Sequence, residues 1–165
     1  MIKIYIKNLP EGVSPHQAGR ALLAEVLGQE PQLVYGSNGK PYFAQGDLFF
    51  NLSHCKGAVG VAIGKQELGF DLEDSNRTIV HTGFALPEEA GIEPLLLWVL
   101  KESFVKWTGD GVSILRKTKV TALDENIYEG KYQEKKAFLQ AFQTKGLVGS
   151  LATEKREEYQ IIYKF

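Results

Sequence analysis

The segment from residue 51 to residue 74 constrains the fold most strongly, because polar side chains are set into strand-like apolar runs. Ala58–Ile63 is continuously apolar and predicts a buried strand. Leu68–Glu73 alternates apolar and acidic residues, which predicts a strand with Asp71 and Glu73 on one face. Two carboxylates about 5.5 Å apart repel by about 3 kcal/mol at an effective dielectric constant of about 20. Either water screens this repulsion or a cation neutralises it, and the residues alone leave both open.

Composition narrows the possible classes of protein. The chain has 165 residues, 44% hydrophobic and 24% charged, with a net charge of -1, which is ordinary globular composition. The near-neutral balance provides no field for nucleic-acid binding. Cys55 is the single cysteine, residues 1–10 lack the apolar core of a signal peptide, and Leu95–Leu100 is too short to cross a bilayer. We therefore expect a cytoplasmic protein with no nucleic-acid or membrane partner.

Hydrophobic periodicity predicts a mixture of helices and strands, and the fold class expected here is α+β (α/β two-layer). Helices are predicted after the Ser14 cap up to Gly28, over 95–107 and over 133–142, and a loop over 75–91. The predicted strands are 2–7, 32–35, 58–63, 68–73, 112–115, 119–123, 147–152 and 159–165.

The helix over 95–107 is the clearest of these, since Pro94 suits its first turn and Gly109 its end. Trp98, Glu102 and Lys106 are spaced by four residues and so share one face. The simplest interpretation of that face is a surface Glu-Lys pair.

Several polar residues are candidates for chemistry. Asp71, Glu73 and Glu102 could hold magnesium, which prefers hard oxygen ligands, or they could be a solvated acidic face. Lys40 on a glycine turn could contact phosphate, although Pro41 excludes a P-loop. His54 alone indicates no particular role.

Four ordered elements carry a family resemblance. They are Gly39-Lys40-Pro41, Phe50-Asn51-Leu52-Ser53-His54, Gly69-Phe70-Asp71-Leu72-Glu73, and Trp98 to Lys106 with Gly109 beyond. Together they resemble the motifs of the 4'-phosphopantetheinyl transferases, specifically the Sfp-like branch. The resemblance covers about residues 39–109.

This resemblance implies a magnesium-dependent enzyme that transfers phosphopantetheine from coenzyme A to a serine of an apo acyl or peptidyl carrier protein, releasing 3',5'-ADP. It also implies two similar α/β halves packed as a pseudo-dimer. Residues 1–66 would form the coenzyme A side, and residues 67–165 would carry the magnesium site and the Lys-Glu helix, in one compact unit. Because such a chain supplies both sides of its site, we expect a monomer.

The resemblance also implies residue roles. Asp71, Glu73 and Glu102 match the magnesium ligands, and Glu102 would also take the proton from the carrier serine. Lys106 matches the lysine that neutralises or protonates the departing phosphate. The coenzyme A phosphate contacts are matched by Lys40, Ser53 and His54. Arg20 could match a further helix arginine that contacts coenzyme A.

The sequence departs from the Sfp-like pattern in length, since the interval from Asp71 to Glu102 and the whole chain are short. This puts the choice of carrier in doubt more than the chemistry. Arg116, Lys117 and Lys119 could meet an acidic carrier helix or form a solvated face. Two other functions stay open: a non-catalytic protein that binds coenzyme A or a carrier, and a magnesium-dependent phosphohydrolase.

Overall fold

The first part of the chain forms one long helix and five strands that build or flank a sheet. A computed structural model describes all residues, 1–165. The elements in order are β1 (Ile2–Asn8), α1 (Pro15–Leu27), β2 (Leu33–Tyr35), β3 (Pro41–Phe43), β4 (Phe49–Cys55) and β5 (Ala58–Gly64). The Ser14 side chain accepts a hydrogen bond from Gln17 N, and Gly28 ends α1 in the left-handed conformation. The predicted first helix is confirmed.

The second part contains the other long helix and six strands. Its elements in order are β6 (Leu68–Asp74), a short 3-10 helix (Pro87–Glu89), α2 (Pro94–Thr108), a second 3-10 helix (Val112–Lys117), β7 (Lys119–Asp124), β8 (Ile127–Tyr132), β9 (Lys135–Thr144), β10 (Leu147–Thr153) and β11 (Tyr159–Lys164). The Glu93 carboxylate accepts from Leu95 N and Leu96 N, and Gly109 ends α2 in the left-handed conformation. Neither long helix is both long and apolar enough to cross a membrane.

The strands form two main sheets with the same internal connection. The first sheet has the order β11-β1-β5-β4 and the second β6-β10-β9-β8-β7, while β2 and β3 form a separate hairpin. In each sheet the opening strand, β1 or β6, leads into a helix and pairs antiparallel with a later strand, β5 or β10. The fold is therefore α+β, as predicted, and the repeated connection agrees with the pseudo-dimer, which stays a prediction.

The predicted division at residues 66 and 67 falls between β5 and β6. The last strand, β11, does not stay with the second sheet but returns to pair in parallel with β1. The second proposed half thus contributes its last strand to the first sheet, which ties β11 to β1.

The two largest apolar cores hold the two main sheets and α2 together. Ile2, Ile4 and Ile6 of β1 pack with Phe70 and Leu72 of β6, so the two sheets share one core. A second core lies between α2 and the far face of the second sheet; its buried members include Leu97, Leu100, Phe104, Val120, Leu139 and Ala152. The second sheet is therefore covered on both faces.

Gly69 brings α2 directly onto β6. A Cβ atom at this position would lie 2.0 Å from the Ser103 carbonyl oxygen and 2.4 Å from Trp107 N. Only glycine permits backbone to approach backbone this closely. Since Asp71 and Glu73 share the face of Gly69, the contact places both carboxylates beside α2.

Two predicted elements are wrong. The predicted helix over 133–142 is instead a turn at 133–134 followed by β9, because Ala137, Leu139 and Ala141 are buried on one face and the strand pairs on both sides, with β8 and β10. Residues 112–115 lie in a 3-10 helix rather than a strand, with Ile114 and Leu115 buried against the second core. The strands β3, β4 and β8 were not predicted.

Candidate active site between the two sheets

Side chains of β4 complete the open edge of β6. The Asn51 side-chain oxygen accepts from Phe70 N at 2.9 Å, and Ser53 Oγ accepts from Leu72 N at 3.0 Å. These backbone donors face away from β10, which pairs with β6 on its other edge. Ser53 Oγ also donates to Asp71 Oδ1 at 3.0 Å. The polar residues of β4 thus join the sheets and orient Asp71 at the same time.

Asp71 and Lys106 form the centre of the site. Lys106 Nζ lies 2.8 Å from Asp71 Oδ1 and also donates to the Phe70 carbonyl oxygen at 3.1 Å. Asp71 is only 5% exposed, and its other oxygen, Oδ2, is buried without a hydrogen-bond partner. A buried carboxylate oxygen without a partner is costly in free energy, so Asp71 Oδ2 is suited to bind a metal ion or a hydrogen-bond donor.

Glu73 has a different partner. It forms an ion pair with Arg77, which lies four residues further along the chain. The Arg77 guanidinium also lies over the Trp98 ring, 5.4 Å from its centroid, within the range of a cation–π contact. The face of α2 that carries Trp98, Glu102 and Lys106 therefore lies against the carboxylates of β6.

Glu102 adds a third carboxylate to this cluster. Burial raises its pKa, the charges of Asp71 and Glu73 raise it further, and Lys106 and Arg77 oppose the shift. Burial likewise raises the pKa of Glu73, with Arg77 opposing and Asp71 adding to it. Lys106 pairs with Asp71 rather than with Glu102, so the predicted surface Glu-Lys pair is not formed. Glu102 lies near both the negative charges of Asp71 and Glu73 and the positive charges of Lys106 and Arg77.

These carboxylates are not arranged as a ready-made metal centre. No group of three or more His, Cys, Asp or Glu side chains lies in an arrangement that could hold a metal ion. Lys106 and Arg77 neutralise Asp71 and Glu73 instead. The donor set still fits magnesium, since it consists of hard carboxylate oxygens and includes the unpartnered Asp71 Oδ2. Binding through Glu73 Oε1 would require this oxygen to exchange its ion pair with Arg77 for the metal.

Two cavities reach this cluster. One has a volume of about 1090 Å³ and is lined by His54, Lys56, Glu73 and Arg77, together with the loop before α1. The other has a volume of about 290 Å³ and is lined by residues that include Lys40, Glu102 and Lys106. The carboxylate cluster can therefore be approached by ligand groups from two sides.

The predicted phosphate contacts lie in unlike environments. His54 is exposed and lines the larger cavity. Lys40 is largely buried, and its ammonium donates to Glu67 Oε1 at 3.1 Å, to the Leu68 carbonyl oxygen at 3.2 Å and to the Trp107 carbonyl oxygen at 3.1 Å. Burial lowers the pKa of Lys40, and Glu67 opposes this. Of the predicted phosphate contacts, His54 is thus free to meet a ligand, whereas Lys40 ties the β3 turn to α2.

Ser53 and Arg20 are likewise engaged within the protein. Ser53 is buried and bonded to β6, as described above. Arg20 donates to the Tyr35 hydroxyl at 3.3 Å and approaches Glu30, so its contacts lie at the β2–β3 hairpin and the end of α1.

Sequence reasoning missed Arg77 and the pair of Lys101 with Glu89. Lys101 Nζ lies 2.7 Å from Glu89 Oε2 and donates to the Phe84 carbonyl oxygen at 2.8 Å, and both charged side chains are fully buried. Glu89 also accepts from Leu86 N and Val120 N. The pair fastens the loop after β6 to α2, next to Glu102. The spacing of Glu73 and Arg77 was a usable signal, but it lay at the start of a predicted loop.

The known proteins described here that are similar to this chain are all named for the same activity. The chain is 34% identical over 123 residues to the 4'-phosphopantetheinyl transferase AcpT of Salmonella typhimurium, covering 63% of this chain and 64% of that protein. It is 33% identical over 109 residues to AcpT of Escherichia coli K12, covering 56% of each. It is 32% identical over 138 residues to the 4'-phosphopantetheinyl transferase HetI of a Nostoc species, covering 67% of this chain and 58% of that protein. No protein-family model matches the chain.

These relatives confirm the resemblance that the motifs predicted: the chain is similar in sequence to 4'-phosphopantetheinyl transferases. It spans less than two thirds of the length of the relatives described above.

Proposed function

We propose that this protein is a magnesium-dependent transferase that moves 4'-phosphopantetheine from coenzyme A to a serine of an apo acyl or peptidyl carrier protein. The products are the holo carrier protein and 3',5'-ADP. The observation that carries the proposal is the 2.8 Å pair of Asp71 and Lys106, with Glu73 and Glu102 held in the same cluster. This cluster contains every residue for which the motifs imply a metal-binding or proton-transfer role.

The chain's own residues can perform the transfer in one displacement. The carrier serine oxygen would form a bond to the phosphorus that carries pantetheine, and the bond from that phosphorus to the oxygen of 3',5'-ADP would break. Glu102 would accept the serine proton, a role that suits a carboxylate whose pKa is raised by burial. Lys106 would neutralise or protonate the departing phosphate, since its ammonium already lies at the cluster.

Asp71, Glu73 and Glu102 would hold the magnesium ion, which when bound supplies a Lewis acid for the diphosphate. His54, beside Lys56 in the larger cavity, would contact the phosphates of coenzyme A. Lys40 and Ser53 stay predicted phosphate contacts, and each would have to exchange a bond that it now makes within the protein.

The test is incubation with coenzyme A, magnesium chloride and a panel of apo carrier proteins from fatty-acid, polyketide and nonribosomal-peptide systems. Intact-mass spectrometry should show one carrier gaining the mass of one phosphopantetheine group. Glu102→Gln should abolish this gain, whereas Glu88→Gln, which changes an exposed glutamate, should retain it. Unmodified carriers throughout the panel would count against the transferase.

The ion pairs of Lys106 with Asp71 and of Arg77 with Glu73 favour a second candidate, a protein that binds coenzyme A or a carrier without transfer, because they occupy carboxylates that a metal would use. Calorimetric binding of coenzyme A without a mass gain on any carrier would support it. A phosphohydrolase would instead release free phosphopantetheine in the absence of a carrier. The monomeric state and the cytoplasmic location stay predictions.

A further inference from the structure

Arg77 is held in place by the first turn after β6. Its backbone N–H donates to the Asp74 carbonyl oxygen at 2.9 Å, and Asn76 N donates to the Asp74 side chain at 2.9 Å. This turn folds the Arg77 side chain back onto Glu73. The Glu73 side chain is 13% exposed and that of Arg77 is 45% exposed, so the guanidinium is the more accessible partner, and both side chains line the larger cavity.

Trp98 supports the guanidinium from α2. Its ring lies 5.4 Å from Arg77 Cζ, and it is fixed in turn by an edge-on contact with Phe84 at 5.3 Å between centroids. A planar guanidinium can pair with a carboxylate and stack on an aromatic ring at once, which an ammonium does less well. Arg77 is thus restrained by the turn after β6 and by α2, the helix that carries Glu102.

Arg77 is the cationic side chain that pairs with Glu73. Lys106 directs its ammonium to Asp71 Oδ1 and to the carbonyl oxygens of Phe70 and Leu52. It is therefore committed to the neighbouring carboxylate and to the backbone. Arg77 pairs with Glu73 Oε1, so a divalent cation that binds Glu73 through this oxygen would have to displace the guanidinium.

We propose that Arg77 is a positioning residue that holds the Glu73 carboxylate until a divalent cation displaces it. The inference rests on the proposed function only in treating Glu73 as part of a magnesium site. In the metal-free protein Arg77 offsets the repulsion among three carboxylates, and it competes with the metal for one of them. Its presence therefore lowers the affinity for magnesium while keeping Glu73 directed at the cluster.

The test is calorimetric titration of the whole protein with magnesium chloride, without coenzyme A or a carrier. Arg77→Ala should bind magnesium about three- to tenfold more tightly than the wild type, the range expected for losing one competing ion pair. Arg77→Lys should lie between the two, because it keeps the charge and loses the stacking. Arg116→Ala, which removes an exposed arginine from the second 3-10 helix, should bind like the wild type. Equal or weaker binding by Arg77→Ala would overturn the proposal.

Trp98 provides an independent readout. In a Trp107→Phe background, magnesium should change the Trp98 emission when Arg77 is present, because the guanidinium leaves its place over the ring. The same titration of the Arg77→Ala variant should change it much less. Magnesium binding without an emission change in the Arg77 protein, or no magnesium binding at all, would overturn the proposal.

These titrations are separate from the test of the transferase. If they fail while a carrier gains phosphopantetheine, the role of Arg77 is wrong and the proposed function stands. If they succeed while no carrier is modified, Arg77 controls a metal site in a protein with another activity.

Discussion

Lys106 Nζ, on α2, lies 2.8 Å from Asp71 Oδ1, on β6, so one ion pair joins the long helix to the edge strand of the second sheet. The same ammonium donates to the Phe70 carbonyl oxygen. A single side chain thus pairs with one oxygen of a buried carboxylate and with an edge carbonyl, and it lies at the centre of the proposed site. Its removal should affect both stability and activity.

We expect Lys106→Ala to lose transfer activity and to lower the free energy of unfolding. Removing one partner of a fully buried pair costs roughly 3–5 kcal/mol. Because the Lys106 side chain is 27% exposed, we expect about 1–3 kcal/mol, measured by urea denaturation. The control is Lys136→Ala, which breaks the exposed pair with Glu129 and should cost about 1 kcal/mol or less. Equal losses in the two variants would contradict the structural role of Lys106.

Gly69→Ala should destabilise the protein strongly, since the added methyl would overlap the backbone of α2 at Ser103 and Trp107. Overpacking typically costs about 1–3 kcal/mol, and we expect at least the upper end because backbone cannot rotate away. Gly91→Ala is the matched control: no atom lies within 4 Å of its added Cβ. Thermal unfolding should show a large loss for the first variant and little change for the second. A Gly69→Ala protein as stable as the wild type would show that α2 does not rest on β6 as described.

Glu89→Gln should be among the most destabilising substitutions outside the site. It leaves the Lys101 ammonium charged and fully buried, and loss of one partner of such a pair costs roughly 3–5 kcal/mol. The adjacent Glu88 is the control, since its contact with Lys119 is 3.8 Å long and exposed. Glu88→Gln should change the free energy of unfolding by about 0.5 kcal/mol or less. Chemical denaturation of the two variants side by side tests this, and a small effect of Glu89→Gln would refute it.

The elements that were predicted correctly are those whose signals are local. Ser14 and Pro15 start α1, Gly109 ends α2, and the alternation over 68–73 marks β6. The error over 133–142 has a non-local cause: a stretch rich in helix-forming residues is held as β9 by strands on both of its sides. Propensity yields to such pairing and burial.

In the candidate site too, local signals identified the residues, whereas their contacts depend on non-local packing. The motifs identified Asp71, Glu73, Glu102 and Lys106, and the fold brings them into one cluster. The pairing within that cluster could not be read from spacing, because it depends on how closely α2 lies on Gly69. The i, i+4 step suggested that Lys106 would face Glu102, whereas packing directs it to Asp71. Arg77 was missed because its role depends on Trp98, 21 positions along the chain.

Glu102 makes stability depend on pH in a defined direction. Burial and the neighbouring carboxylates raise its pKa above the ordinary glutamate value of 4.5, so between these two values the native state binds more protons than the unfolded state. Stability contributed by this group is therefore complete below pH 4.5 and is lost as the pH rises through the raised native pKa. Glu102→Gln removes the ionisable group and should raise the melting temperature relative to the wild type near pH 7.5, with the difference shrinking as the pH falls toward 4.5. Differential scanning calorimetry across this range, with Glu88→Gln as the control, measures the effect. A Glu102→Gln protein that is less stable than the wild type near pH 7.5 would show that the ionised carboxylate is stabilised by its surroundings, contrary to its burial among like charges.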